Sequence, residues 1–175
     1  MNSIRLSIAL VIALLMITLS GCKYGMNAGS IDYTKIKTIS IYNFPNESGN
    51  GPPYLSQRFT EKLRSYIQAN TKLIQVKSGG DWEVEGSIIS YRVEPVSPQA
   101  NQTAAQNRLT VVVKVKFINN KANPDVREEA GWEQSFSCPG YFPQDQSLSQ
   151  NEANLIESIT DQIIQDTYNK MTSNW

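Results

Sequence analysis

The stretch Arg108-Leu109-Thr110-Val111-Val112-Val113-Lys114-Val115-Lys116-Phe117-Ile118 decides the fold. Leu109, Val111, Val113, Val115 and Phe117 alternate with Thr110, Val112, Lys114 and Lys116, so one side is apolar throughout and the other carries two cations. A two-residue period of this kind belongs to a strand with one buried and one wet face. Such a strand requires partners in a sheet and a second layer over its apolar side.

Working outward, Trp82 to Val96 reads as a longer extended segment. Trp82, Val84, Gly86 and Ile88 share one side, while Ile89, Tyr91 and Val93 fall on the other, a change of apolar face that predicts a bulge or a two-sided environment. Between these strands Pro95, Pro98 and the polar run Gln99 to Gln106 make a long loop. Downstream, Asn119 to Asp125 turns the chain into a last strand from Gly131 to Cys138, with Trp132, Phe136 and Cys138 on one face. The prolines and glycine that follow predict a loop as far as Gln146. Upstream, Thr38 to Phe44 suits a first strand ended by Pro45, and Leu73 to Val76 a short one.

Two segments carry the helical period instead. Leu55, Phe59, Leu63, Tyr66 and Ile67 form an amphipathic stripe that Asn70 and Thr71 close. Ser149, three residues ahead of Glu152, has capping-box spacing for a second helix whose stripe runs through Leu155, Ile156, Ile159, Ile163 and Tyr168 or Met171. The expected fold is therefore α+β: a two-layer sandwich with a mostly antiparallel sheet of four to five strands and two helices packed on one face.

The first residues have a different logic. Arg5 and the amino terminus precede an uncharged apolar run from Leu6 to Leu19, closed by Ser20-Gly21-Cys22. A membrane-spanning helix needs about 20 apolar residues, so this shorter run ending in small residues reads as a secretory leader. Leu-Ser-Gly-Cys is the processing pattern of a bacterial lipoprotein, with Cys22 as the lipid-attachment residue. The expected organisation is a signal peptide over 1–21, a lipidated tether over 22–37 and one domain over 38–175. Removing 1–21 from the 175-residue chain leaves 154 residues, enough for a core of its own.

The 16 basic and 16 acidic residues become 15 and 16 once Arg5 is removed. That balance speaks against a nucleic-acid partner, whose phosphates call for a basic excess. The chain contains no histidine and two cysteines, which excludes histidine-based hydrolysis and histidine-ligated zinc. With Cys22 acylated, Cys138 is left without a disulfide partner in the chain and reads as a small buried hydrophobe. Gly49 and Gly51 are followed by prolines, not by the lysine and hydroxyl residue of a phosphate loop. Neither a CxxC nor a calcium loop is present, so no cofactor and no metal are expected, and Glu83 and Glu85 read as solvated carboxylates of a sheet edge in preference to a catalytic pair. Lys114 and Lys116 share one sheet face with Val112 and Ile118, and Arg92 lies on a neighbouring segment. A mixed basic and apolar surface suits a phosphorylated lipid, which makes Arg92, Lys114 and Lys116 the candidate contacts; the other reading is an ordinary exposed sheet face whose lysines prevent aggregation.

The leader with Cys22, Ile39 to Phe44 followed by Pro45-Asn46, Phe59-Thr60-Glu61-Lys62-Leu63, Trp82-Glu83-Val84-Glu85-Gly86, Ala105-Gln106-Asn107-Arg108-Leu109-Thr110 and the Ile159 to Trp175 tail together resemble the LptE family, in its Bacteroidetes-type form. The resemblance implies a non-enzymatic lipopolysaccharide-assembly lipoprotein on the periplasmic, inner-leaflet side of the outer membrane. Its implied partners are an LptD-like β-barrel that it plugs, lipopolysaccharide, and the membrane through its lipid anchor. No residue of that family's known contacts aligns with a motif here, so none is transferred. The competing reading is a surface-exposed lipoprotein that captures an envelope glycan or other ligand through Trp82 and Trp132.

Overall fold

A computed structural model describes residues 31–96, 105–122 and 130–173. The described order is β1 (Thr38–Ile41), α1 (Leu55–Asn70), β2 (Ile74–Val76), β3 (Trp82–Val96), β4 (Gln106–Asn119), β5 (Gly131–Pro143) and α2 (Leu148–Thr172). The strands form one five-stranded sheet in the order β2-β1-β3-β4-β5. β3, β4 and β5 are joined antiparallel, whereas β1 runs parallel to both β2 and β3. The sandwich is thus α+β as expected, with a mixed sheet in which antiparallel pairing dominates by length. The parallel pair follows from α1, which carries the chain back to the end of the sheet where β1 began.

The alternation in β4 sets the layers. Leu109, Val111, Val113, Val115 and Phe117 are all buried against the helices. From α1, Leu55, Phe59, Leu63 and Ile67 enter the same core, and from α2, Ile156, Ile159, Ile163, Ile164 and Met171. Polar bonds fix α1 to β1 and the segment after it: Phe44 donates its N–H to Thr60 Oγ1 at 3.1 Å, Ser56 Oγ donates to the Phe44 carbonyl at 2.7 Å, and Arg64 donates to the Ile41 carbonyl at 2.9 Å. The two helices are tied by Lys62, which reaches Glu157 Oε1 at 2.8 Å and Asp161 Oδ1 at 2.7 Å, and by Arg58, 2.6 Å from Glu157 Oε2.

The bulge expected in β3 is present, and two other expectations need adjustment. The register slips between Ile88 and Ser90, which keeps one apolar face along the strand. Ile89 is the extra residue, so Ile88 and Tyr91 both point into the core. The last strand does not stop at Cys138; it continues through Pro139 and Gly140 to Pro143, paired with β4 throughout. Proline is tolerated there because β5 is an edge, where a missing N–H costs no ladder bond on its outer side. Finally, the cap of α2 lies two residues before the expected one, with Ser147 and Gln150 forming the capping box and the Ser147 N–H donating to Gln150 Oε1 at 3.1 Å. Glu152 is thereby left to accept from the Tyr91 hydroxyl at 2.6 Å, a bond from helix to sheet. The expected loop over Gln99 to Gln106 lies mostly outside the described residues, as does the end of the turn after Asn119.

Candidate functional site

The helices cover one side of the sheet, and the opposite side carries the sequence-predicted contacts. Cross-strand pairing places Glu85 opposite Lys116 and Glu133 on the other flank of Lys116, while Ser87 and Ser135 flank Lys114. The structure therefore brings Lys114 and Lys116 together on the outer face. Each ammonium already has a carboxylate: Lys116 Nζ lies 2.6 Å from Glu85 Oε1 and Lys114 Nζ 2.6 Å from Glu133 Oε1. The bond that Lys116 donates to Glu85 raises the lysine pKa above its ordinary value. Beside this ladder, an open cleft of about 390 Å³ is lined by Tyr42, Asn43 and Glu47 together with Ser87 and the two lysines.

Arg92 shares the face but not the neighbourhood. It stands opposite Thr110, four residues along β4 from Lys114, a separation of roughly 13 Å at the strand rise. It approaches Glu94 at 3.4 Å, and the same carboxylate accepts from Arg108 at 3.0 Å. Arg108 and then Arg92 hold the Glu94 carboxyl below its usual range. Arg108, Glu94 and Glu133 were missed in the sequence. Alternation alone puts Glu133 outside, but its pairing with Lys114 depends on register, which no local pattern carries.

The other residues singled out sit as follows. Cys22 lies outside the described residues. Glu83 accepts from the Tyr42 hydroxyl at 3.3 Å and from Asn120 Nδ2 at 3.1 Å, on the same face as Glu85. Cys138 is half-buried opposite Val111, and burial pushes its thiol above the ordinary value, which lowers its reactivity. Trp82 is 7% exposed and packs edge-on against Phe117 with centroids 5.1 Å apart, so it is a core side chain with little surface to stack on a sugar. Among the described residues no group of three or more acidic or cysteine side chains is placed to hold a metal ion. No described helix is long and apolar enough to cross a membrane.

A helix pair under a mixed sheet, with the opposite sheet face left open by the described residues and carrying both charges, defines an α+β sandwich. The family model described as LptE, lipopolysaccharide-assembly, matches residues 36–171, and the chain belongs to that family. Among solved structures it is similar to a minor lipoprotein from Acinetobacter baumannii, at 12% identity and a TM-score of 0.48 over 78% of this chain and 93% of that one. It is also similar to the rare lipoprotein B from Shewanella oneidensis, at 13% identity and a TM-score of 0.46 over 77% and 96% of the two chains. Lipoprotein B from Nitrosomonas europaea is a further similar structure, at 14% identity and a TM-score of 0.46 over 78% and 83%. No curated protein matches in sequence.

Proposed function

We propose that this chain is a non-enzymatic lipoprotein of lipopolysaccharide assembly, cut after residue 21 and acylated at Cys22. Its domain then hangs on the periplasmic side of the outer membrane and braces an LptD-like β-barrel by occupying its lumen. The observation that carries this reading is family membership over residues 36–171, joined to the Leu19-Ser20-Gly21-Cys22 ending of the leader. Two or more acyl chains, each buried at about 0.8 kcal/mol per methylene, make such a tether stable.

Protein extracted in detergent from its own membrane, with Cys22 intact, is expected to bring down a large outer-membrane barrel. Depleting it is expected to reduce surface lipopolysaccharide. Absence of both effects rules the reading out.

Within this function, Arg92, Lys114 and Lys116 are the proposed lipopolysaccharide contacts. A phosphate must displace Glu85 and Glu133 from the two lysines, and exposed ion pairs of this kind are worth only about 0–1 kcal/mol each. Lys114→Glu with Lys116→Glu is expected to weaken binding to phosphorylated lipid A in a salt-dependent way. Unchanged affinity at low ionic strength dismisses these residues.

A further inference from the structure

The end of the molecule where the chain enters the fold has a composition unlike the outer sheet face. Ile31 is the first described residue, and the turn from Asp32 to Ile36 leads into β1. Beside it stand the C-terminal ends of both helices, joined where the Tyr168 hydroxyl donates to the Asn70 carbonyl at 3.2 Å. Tyr66 and Tyr168 meet edge to face with centroids 5.4 Å apart, and Lys72 Nζ lies 5.9 Å from the centre of the exposed Tyr33 ring. The Tyr33 hydroxyl accepts from the Lys72 N–H at 3.4 Å. Lys35 and Lys37, two and four residues after Tyr33, are exposed, as is Lys72.

Two physical facts select what such an end meets. Tyrosine presents an apolar body and a polar tip, and lysine an aliphatic stem and a charge, which suits both to the headgroup layer of a bilayer. Nine residue steps separate Ile31 from Cys22, and even a fully extended chain of that length spans no more than about 30 Å. We infer that the tyrosine and lysine patch formed by Tyr33, Tyr66, Tyr168, Lys37 and Lys72 docks on anionic phospholipid headgroups and orients the tethered domain on its leaflet. The inference rests on the acylation of Cys22 proposed above. That anchor holds this end, not the end of the sheet where Val96 and Gln106 lie, within reach of the surface.

The experiment uses the acylated protein reconstituted into phosphatidylglycerol vesicles and, separately, into phosphatidylcholine vesicles. Flotation reports the anchor, and amide hydrogen exchange over residues 31–37 and 70–73 reports the patch. Exchange is expected to be slower in phosphatidylglycerol, with the difference shrinking as salt is added. Lys37→Gln and Lys72→Gln, both exposed, are each expected to reduce that protection by about fivefold, the equivalent of about 1 kcal/mol per lysine near an anionic surface. Protein that floats in both vesicles with equal exchange overturns the docked patch and leaves the anchor standing. Protein that does not float overturns both.

Discussion

At Gly86 the absence of a side chain decides how closely two strands and a loop can pack. A Cβ there would collide with the Lys114 carbonyl oxygen on β4 and come within 2.6 Å of Phe44 Cε1, a ring that is fully buried. Backbone on one side and a core ring on the other leave nothing free to yield. Gly86→Ala is expected to lower stability by about 3 kcal/mol, read as a shift in the urea midpoint at unchanged slope. Glu157 makes a different kind of residue-level statement. Bonds from Lys62, and next from Arg58, push its pKa down from 4.5 to about 2. The folded value lies below the unfolded one, so the stabilisation is fully present above the unfolded pKa and drains away as pH falls towards the folded one. The melting temperature of the native chain is expected to fall across that interval, and Glu157→Gln to remove this part of the fall. Equal pH dependence in the two proteins refutes it.

Among the elements, α2 offers the sharpest test, because two overlapping patterns compete for its start. Ser149 and Glu152 have the right spacing, yet Ser147 and Gln150 hold the cap and Glu152 turns to Tyr91. Ser147→Ala is expected to cost about 1 kcal/mol and Ser149→Ala close to nothing, measured by thermal unfolding of each variant. Regular elements were legible wherever a period ran uninterrupted. β4 and α1 follow from the spacing of their apolar residues, and Trp82–Val96 was bounded correctly because Asp81 and the later prolines punctuate it. What the chain did not reveal was relational. Pro139 and Gly140 look like loop residues until β5 is known to be an edge, and the carboxylate partners of Lys114 and Lys116 appear only with the register. Gly140 also lets α2 approach, since a Cβ would lie 2.8 Å from Leu155 Cδ2. For the candidate site, the shared face of the two lysines was readable from alternation, whereas their neutralisation by Glu133 and Glu85 was not.

Across the whole molecule, one continuous hydrophobic cluster links residues from both helices and all the strands except β2. A domain with a single core of this kind unfolds as a unit. Tryptophan fluorescence, reporting the aromatic row of Trp82, Phe117, Trp132 and Phe136, and far-ultraviolet dichroism, reporting the helices, are expected to give coincident denaturation curves. Separate midpoints would mean that the aromatic end melts on its own. The interior placement of β1, between β2 and β3, adds a constraint on timing. Both strands that flank it come later in the chain, and Ile39 meets Trp82 only after 43 further residues have been made available. A polypeptide that emerges from its amino end must hold that strand unsatisfied until the third one follows. During that interval its unpaired backbone is a natural target for a chaperone.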